Sequence, residues 1–243
     1  MAPVASVASA ARNSHARIRL ILFDLDGTLV DTAEDLAAAL NQCRIGRGLP
    51  PTPPQQLRAW TSHGARGLIK RSFGMEPSDD GYAQLRAEFL DHYERALCVH
   101  SRLYEGVEQT LVAIEAADRL WGVVTNKPAR FTGPLLRALG LEHRAACAVS
   151  GDTAARPKPD PAPILHALAQ CGCEAGAAVY VGDDLRDVQA GRAAGVATVA
   201  AAYGYSAELE DVRSWQADLV IDRPQDLLGW ALATGGAASD RFS

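Results

Sequence analysis

The stretch that decides the fold is LILFDLDGTLVD, from Leu20 to Asp31. Its apolar run stops abruptly at Asp24, and a second acid, Asp26, follows two positions later. A short continuous apolar run of this kind is typical of a strand buried on both faces of a parallel sheet. Two carboxylates at the end of such a strand allow one to attack phosphorus while the other moves the leaving-group proton. An ordinary strand-turn-helix connection, with aspartate in the turn, is the alternative interpretation.

Further apolar runs along the chain predict the other strands of this sheet. They occupy residues 120–124, 146–149, 178–181, 196–200 and 218–221. Helical patterns lie between them, at residues 107–116, 131–139, 161–169 and 187–194. Strands that alternate with helices indicate an α/β fold with a doubly wound, mostly parallel sheet. Ligands of such sheets bind at the carboxyl ends of the strands.

One connection is far longer than the usual βα loop of about 2–6 residues. Residues 33–103 follow the first strand and read as helices over 33–47, 55–61, 65–73 and 82–97. We therefore expect an all-helical cap domain at 33–103, inserted into an α/β catalytic core formed by 19–32 and 104–235. Residues 1–18 are expected to be a disordered extension and residues 236–243 a flexible tail.

Composition describes an ordinary globular chain of 243 residues, 48% hydrophobic and 22% charged, with a net charge of −5. The acidic balance gives no reason to expect a nucleic acid or a membrane surface as partner. Five scattered cysteines without framework spacing predict reduced thiols and a cytoplasmic location. The Ala-, Ser- and Arg-rich start faintly resembles a transit peptide, but a disordered extension is the preferred interpretation.

A second acidic cluster, GDDLRD, follows another apolar run at residues 182–187. Asp183 and Asp187 are four apart, so they fall on one side of a helical turn. Carboxylates gathered at one sheet edge repel each other unless a hard cation lies among them, and Mg²⁺ suits such a site. Asp184 or Asp187 alone could instead cap the helix that begins there, and for Asp184 this interpretation is preferred.

Two further segments offer partners for a phosphate. Thr125 and Asn126 follow an apolar run and carry a hydroxyl and an amide donor. Lys158 lies between two prolines just before a helix, where it could neutralise the charge of a transferring phosphoryl group. Taken alone, a surface lysine in a proline-rich turn would be the simpler interpretation.

The order of these four segments resembles that of the haloacid dehalogenase superfamily of phosphatases. The resemblance implies that Asp24 is the nucleophile, which forms an aspartyl-phosphate. It implies that Asp26 is the general acid and then the base that activates water. Mg²⁺ would be held by the Asp24 carboxylate, the Asp26 backbone carbonyl and Asp183. Thr125, Asn126 and Lys158 would surround the phosphate, and Asp187 would orient Lys158 or a metal-bound water.

Several phrases narrow the resemblance within the superfamily. FDLDGTLVDT at 23–32, VVTNKP at 123–128 and VGDDLRD at 181–187 are similar to phosphoglycolate phosphatases. WGVVTNKP at 121–128 and AYGY at 202–205 also resemble the related N-acetylmuramic acid 6-phosphate phosphatases. The expected substrate is therefore a small carboxylated phosphate ester, 2-phosphoglycolate first and N-acetylmuramic acid 6-phosphate as the alternative.

Either substrate calls for a basic residue in the cap. Arg66, with His63 beside it, is the candidate, because the segment SHGARG at 62–67 opens a helix with glycines and an arginine fork. An exposed charge without a ligand is the equally weighted alternative for Arg66.

Three other classes compete with a phosphatase. A dehalogenase of the same superfamily needs neither Asp26 nor magnesium, so the second acid argues against it. A phosphosugar mutase would keep all four segments and is excluded only weakly. A non-catalytic protein on this fold would be expected to lose Asp24, Asp26 or Asp183, and all three are present. The expected partner is a small-molecule phosphate ester, and the expected assembly is a monomer or a homodimer.

Overall fold

The computed structural model describes residues 18–232. The expected N-terminal extension, apart from Ile18, and the expected tail at 236–243 lie outside this range.

The strands and helices alternate along the chain as the apolar pattern predicts. The strands are β1 (Leu20–Phe23), β2 (Val30–Asp31), β3 (Arg102–Leu103), β4 (Leu120–Val124), β5 (Ala148–Val149), β6 (Ala178–Gly182), β7 (Ala197–Ala201) and β8 (Leu219–Ile221). The helices are α1 (Ala33–Ile45), α2 (Pro54–Arg58), α3 (Gly64–Phe73), α4 (Tyr82–Arg95), α5 (Val107–Ala116), α6 (Ala129–Ala138), α7 (Ala162–Gln170), α8 (Leu185–Ala194) and α9 (Asp226–Ala231).

A six-stranded sheet in the order β5-β4-β1-β6-β7-β8 forms the centre of the molecule, with every neighbouring pair parallel. In the register of β1, Phe23 lies opposite Val123 of β4 and Val181 of β6. The carboxyl ends of these three strands therefore meet at one edge. The predicted α/β fold with a doubly wound parallel sheet is confirmed.

Strand β1 is buried on both faces, as its unbroken apolar run requires. Ile21 and Phe23 belong to one hydrophobic cluster, together with residues of α5, α6 and α9. Leu20 and Leu22 belong to the cluster on the opposite face, with residues of α7 and α8. Side chains alternate between the faces because the strand period is two.

The helices inserted between β2 and β3 have a hydrophobic cluster of their own. It is built by α1 to α4, from residues such as Leu40, Leu68 and Phe89, and Phe131 of α6 joins it. Strands β2 and β3 pair antiparallel, Val30 with Leu103, where the insertion leaves the core and returns to it. On this basis we propose the division into a core of 19–32 and 104–235 and a cap of 33–103.

Several element boundaries differ from the predicted ones for local reasons. The helix predicted over 55–61 ends at Arg58, and a separate 3₁₀ turn, Thr61–His63, follows. Gly64 ends that turn with a φ of 60°, a conformation that favours glycine. Helix α8 begins at Leu185, two residues before the predicted start, because Asp184 caps it. No helix within residues 18–232 is long and apolar enough to cross a bilayer.

Candidate active site

A cavity of about 260 Å³ lies between the inserted helices and the residues that follow β1, β4 and β6. The sequence-predicted residues that line it are Asp24, Asp26, His63, Thr125, Asn126, Lys158, Asp184 and Asp187. The inserted segment also supplies Ser62, Gly64 and Ala65 and, from α4, Arg86, Phe89, Leu90 and Tyr93. Residues of five separate segments, the inserted helices among them, therefore meet in one space.

Asp24 lies directly after β1, and its carboxylate is held from two sides. Oδ1 accepts a hydrogen bond from the Leu25 backbone N–H at 2.7 Å. The same oxygen lies 3.0 Å from Lys158 Nζ. The position is well suited to a nucleophile, because a fixed cation stands beside the carboxylate that would attack.

Lys158 is only 4% exposed, and protein acceptors take the place of water around its ammonium. Nζ donates to Asp187 Oδ1 at 2.7 Å, to the Tyr180 hydroxyl at 2.7 Å and to the Val124 carbonyl at 3.2 Å. Burial alone would lower the pKa of Lys158, but the Asp187 and Asp24 carboxylates outweigh it, so the pKa is raised. The ammonium therefore stays charged beside Asp24.

Asn126 acts on the backbone of Lys158. Its amide nitrogen donates to the Lys158 carbonyl at 3.0 Å, and its amide oxygen accepts from the Lys158 N–H at 2.9 Å. Most of its hydrogen-bonding capacity is thus spent on fixing the lysine loop against β4, which leaves one amide N–H for a ligand. Thr125 lies beside it, buried at the end of β4, and its hydroxyl accepts from the Lys127 N–H at 3.2 Å.

An acidic cluster adjoins Asp24. Carboxylate oxygens of Asp24, Asp183 and Asp187 lie within 4.8 Å of one another. Burial raises the pKa of Asp183 well above its usual range, and the charges of Asp24 and Asp187 raise it further. Burial also raises the pKa of Asp187, to about 7, against the lowering effect of Lys158. Three crowded carboxylates need positive charge beyond that of Lys158 to be ionised together.

The surroundings of Asp183 fit a hard divalent cation. Its oxygens accept from the Thr28 hydroxyl at 2.9 Å, the Ser62 hydroxyl at 3.1 Å and the Tyr205 N–H at 3.0 Å. Backbone packs closely around it, because a Cβ on Gly204 would lie 2.2 Å from the Asp183 Cβ. A rigid set of carboxylate oxygens is the donor chemistry that Mg²⁺ prefers.

Asp26 faces a different cation, Lys127. Lys127 Nζ donates to both Asp26 oxygens, at 3.0 and 3.2 Å, and the Thr32 hydroxyl donates to Oδ1 at 2.6 Å. The Tyr93 ring of α4 lies over Lys127 Nζ, 4.6 Å from its centroid. Burial alone would lower the pKa of Lys127, but Asp26 and Tyr93 outweigh it and the pKa is raised. Asp24 and Asp26 therefore have separate cationic partners.

Asp184 is the N-cap residue of α8. Its side chain accepts from the Arg186 N–H at 2.9 Å, and Asp187 accepts from the Asp184 N–H at 3.0 Å, which completes a capping box. It also forms an ion pair with the Arg186 guanidinium at 2.7 Å. The helix-capping interpretation of Asp184 is what the structure shows. Arg186 donates in turn to the Ser62 carbonyl and so ties the inserted segment to the core.

The two predicted cap residues have different positions. His63 lines the cavity. Arg66 does not, because its side chain is 69% exposed and forms an ion pair with Glu76 at 3.4 Å. Arg66 is therefore not among the residues that line the cavity, and the alternative of an exposed charge without a ligand fits its position. The arginines that line the cavity are Arg86 and Arg186.

Residues 21–201 match the family model of the haloacid dehalogenase-like hydrolases. The chain belongs to this family. The expected superfamily is thereby confirmed for the segment that contains all four motifs.

Relatives of the haloacid dehalogenase-like chain extend over nearly its whole described length. N-acetylmuramic acid 6-phosphate phosphatase of Pseudomonas putida is 43% identical over 211 residues, which cover 87% of this chain and 95% of that protein. Phosphoglycolate phosphatase of Xanthomonas campestris is 43% identical over 209 residues, 86% of this chain and 94% of that protein. The comparisons thus support the predicted enzyme class, a phosphoric monoester hydrolase.

A solved structure of this family gives the same result for the fold. A predicted phosphoglycolate phosphatase from Haemophilus somnus superposes with a TM-score of 0.77 at 32% identity, covering 87% of this chain and 97% of that one.

Sequence reasoning assigned no role to several residues that build this haloacid dehalogenase-like site. Lys127 is one of them, and its position directly after a Thr-Asn pair at the end of a strand is the sequence feature that indicates it. Tyr205 accepts from the Thr32 N–H at 2.7 Å and donates to Asp31 Oδ1 at 3.0 Å, so it holds the start of the insertion. Tyr180, buried within β6, gave no signal, because an apolar strand commonly contains tyrosine.

Proposed function

We propose that this chain is a Mg²⁺-dependent phosphomonoesterase that uses Asp24 as the nucleophile. The observation that carries the proposal is the position of Asp24. Its Oδ1 lies 3.0 Å from the buried Lys158 ammonium, and its side chain lines the cavity. Carboxylate oxygens of Asp24, Asp183 and Asp187 also lie within 4.8 Å of one another. A carboxylate with one fixed cation beside it and a cavity in front of it suits attack on a phosphate ester.

In the first step, an Asp24 oxygen attacks phosphorus and the bond from phosphorus to the ester oxygen breaks. Asp26 gives its proton to the departing oxygen, so the leaving group departs as an alcohol. In the second step, water attacks the phosphorus of the aspartyl-phosphate, the bond from phosphorus to Asp24 breaks, and Asp26 takes the proton of the water. Lys158 neutralises charge on the transferring phosphoryl group, and the Thr125 hydroxyl offers a donor to its oxygens.

Asp24, the Asp26 backbone carbonyl and Asp183 are the groups that would hold Mg²⁺. The ion would supply positive charge that offsets the charges of the phosphate and of the carboxylates around Asp24. Asp187 is directed to Lys158 and to the Asp184 N–H. Its role is therefore to position the lysine and to cap α8.

The cavity favours a larger substrate than the sequence placed first. Phe89, Leu90 and Phe131 give it an apolar wall, and its volume is about 260 Å³. A two-carbon glycolate group would leave most of this wall without contact. The acetyl and lactyl methyl groups of N-acetylmuramic acid 6-phosphate could cover it. Together with the name of the Pseudomonas putida relative, this favours the muramic ester. 2-Phosphoglycolate is the second candidate, because relatives of equal identity carry that name.

A cytoplasmic location accompanies this proposal. It is supported by the cysteines, since Cys43, Cys98, Cys147, Cys171 and Cys173 are all free thiols.

Phosphate release from four substrates, each with Mg²⁺ and with EDTA, tests the proposal. The substrates are N-acetylmuramic acid 6-phosphate, 2-phosphoglycolate, glucose 6-phosphate and p-nitrophenyl phosphate. We expect Mg²⁺-dependent release and a kcat/KM for the muramic ester about a hundredfold above that for glucose 6-phosphate. Release that EDTA leaves intact would contradict the metal requirement. Isomerised glucose phosphate without release would identify a mutase instead.

A further inference from the structure

Helix α4 presents one face to the cavity. The residues on this face are Arg86, Phe89, Leu90 and Tyr93. Their spacing of i, i+3, i+4 and i+7 places them on a single stripe of the helix. The stripe has a cation at one end, an aromatic hydroxyl at the other and an apolar stretch between them.

Tyr93 marks the catalytic end of this stripe. Its ring centroid is 4.6 Å from Lys127 Nζ, which lies 3.0 Å from Asp26 Oδ1. Arg86 comes two helical turns earlier, which is about 10 Å along the axis. Phe89 and Leu90 lie between the two ends. A ligand group that reaches Arg86 must therefore extend past an apolar surface after leaving the catalytic aspartates.

Arg86 also differs from the other lysine and arginine side chains that line the cavity, because each of those is bound to a carboxylate. Lys127 is bound to Asp26, Lys158 to Asp24 and Asp187, and Arg186 to Asp184. Within residues 18–232, in contrast, the Arg86 guanidinium has neither a hydrogen-bond partner nor an ion-pair partner. An exposed arginine at a cavity wall, with its fork free, is suited to bind a carboxylate through two parallel hydrogen bonds.

We infer that Arg86 is a specificity-determining residue that binds a carboxylate on the leaving group, remote from the phosphate. The inference rests on the proposed phosphatase function and defines its substrate class. That class is a phosphate ester with a sugar-sized body, whose free carboxylate lies at the end opposite the ester oxygen. A carboxylate separated from the ester oxygen by a single methylene group would stay near Tyr93. Arg66, a sequence candidate for this role, is paired with Glu76 and does not line the cavity.

A pair of substrates that differ in one group tests this role. N-acetylmuramic acid 6-phosphate carries a lactyl group, with a carboxylate and a methyl, where N-acetylglucosamine 6-phosphate has a hydroxyl. The two are otherwise the same hexosamine phosphate. The quantity to measure is the ratio of their kcat/KM values. In the wild-type chain we expect the carboxylated ester to be preferred. Arg86→Gln should reduce the ratio by about tenfold to a hundredfold, mainly through KM, because a hydrogen-bonded charge pair is lost.

Two further variants make the result specific. Arg95→Gln removes an exposed arginine from the same helix that does not line the cavity, and it should leave the ratio as in the wild type. Arg86→Lys keeps the charge but not the fork, so its ratio should fall between those of wild type and Arg86→Gln. Circular dichroism checks that each variant is folded.

An unchanged ratio in Arg86→Gln, or an equal fall in Arg95→Gln, would overturn the inference. The p-nitrophenyl phosphate assay separates this failure from that of the proposed function. If hydrolysis of p-nitrophenyl phosphate requires Mg²⁺ and Asp24, but Arg86→Gln leaves the ratio of the two kcat/KM values unchanged, only the role of Arg86 is refuted. If the wild-type chain hydrolyses none of these esters, the proposed function fails and the inference falls with it.

Discussion

Lys127 Nζ lies 3.0 Å from Oδ1 and 3.2 Å from Oδ2 of Asp26, so one ammonium is shared by both oxygens of the proposed acid-base residue. Lys127 is buried beneath Tyr93 and has little freedom to leave. The pair fixes the Asp26 carboxylate relative to Asp24. Lys127 is therefore a positioning residue, which acts on the reaction through Asp26.

Lys127→Met should lower kcat for an alkyl phosphate by about tenfold to a hundredfold, a part of what general acid catalysis contributes. The loss should be smaller for p-nitrophenyl phosphate, whose leaving group departs without a proton. Steady-state kinetics with both esters give the comparison. Lys70→Met is the matched control, since Lys70 is an exposed cap lysine paired with Glu76. Equal losses on the two esters would make Lys127 merely structural.

Metal-free protein should become less stable as pH rises above the ordinary titration range of an aspartate. Asp183 titrates near 3.8 in an unfolded chain, and its pKa is raised well above that value in the folded one. Between the two values the folded state holds a proton that the unfolded state has released, so stability falls as pH rises. Mg²⁺ binds the ionised form and should reverse this trend.

Thermal unfolding at several pH values, with Mg²⁺ and with EDTA, measures the effect. At saturating Mg²⁺ we expect Tm to rise by about 5 °C or more. Asp183→Asn should lose most of this increase, because a carboxylate ligand is removed. A Tm that is independent of Mg²⁺ at every pH would count against the acidic cluster as a metal site.

Gly204→Ala should destabilise the protein through the site itself. The added Cβ would lie 2.2 Å from the Asp183 Cβ and 2.6 Å from the Gly27 carbonyl oxygen. Such overpacking costs about 1–3 kcal/mol, so Tm should fall by several degrees. Gly133→Ala is the control, since Gly133 lies within α6 and an added Cβ meets nothing within 4 Å. Its Tm should stay unchanged or rise slightly. Equal effects of the two changes would show that crowding at Asp183 is unimportant.

The sequence predicted the fold and the grouping of the core site residues, because both follow from where the strands end. An apolar run that stops at an acid, such as Phe23-Asp24, identifies a buried strand and its polar carboxyl end together. Parallel neighbours then bring the ends of β1, β4 and β6 to one edge. Because β4 and β6 flank β1 in the sheet, Asp24, Thr125 and Asp183 lie close together.

The contacts between cap and core could not be predicted from the local sequence pattern. The Tyr205 hydroxyl accepts from the Ala33 N–H across 172 positions of sequence, and the Ser62 hydroxyl donates to Asp183 across 121. Such pairs depend on how helices pack, which a strand or helix pattern does not specify. The two interpretations of Arg66 stayed open in the sequence for the same reason, since its pairing with Glu76 depends on the fold of the loop after α3. Arg86 was hidden because a single arginine on a helix is ordinary in sequence.

Trapping of a phosphorylated enzyme tests the central claim most directly. Wild-type protein is mixed with substrate and Mg²⁺, quenched in acid within the first turnovers and mapped by peptide mass spectrometry. The account predicts a phosphoryl group on Asp24 in the wild type. Asp24→Asn, folded by circular dichroism, should show neither the adduct nor turnover. A phosphoryl group on another residue, or turnover by Asp24→Asn, would contradict Asp24 as the nucleophile.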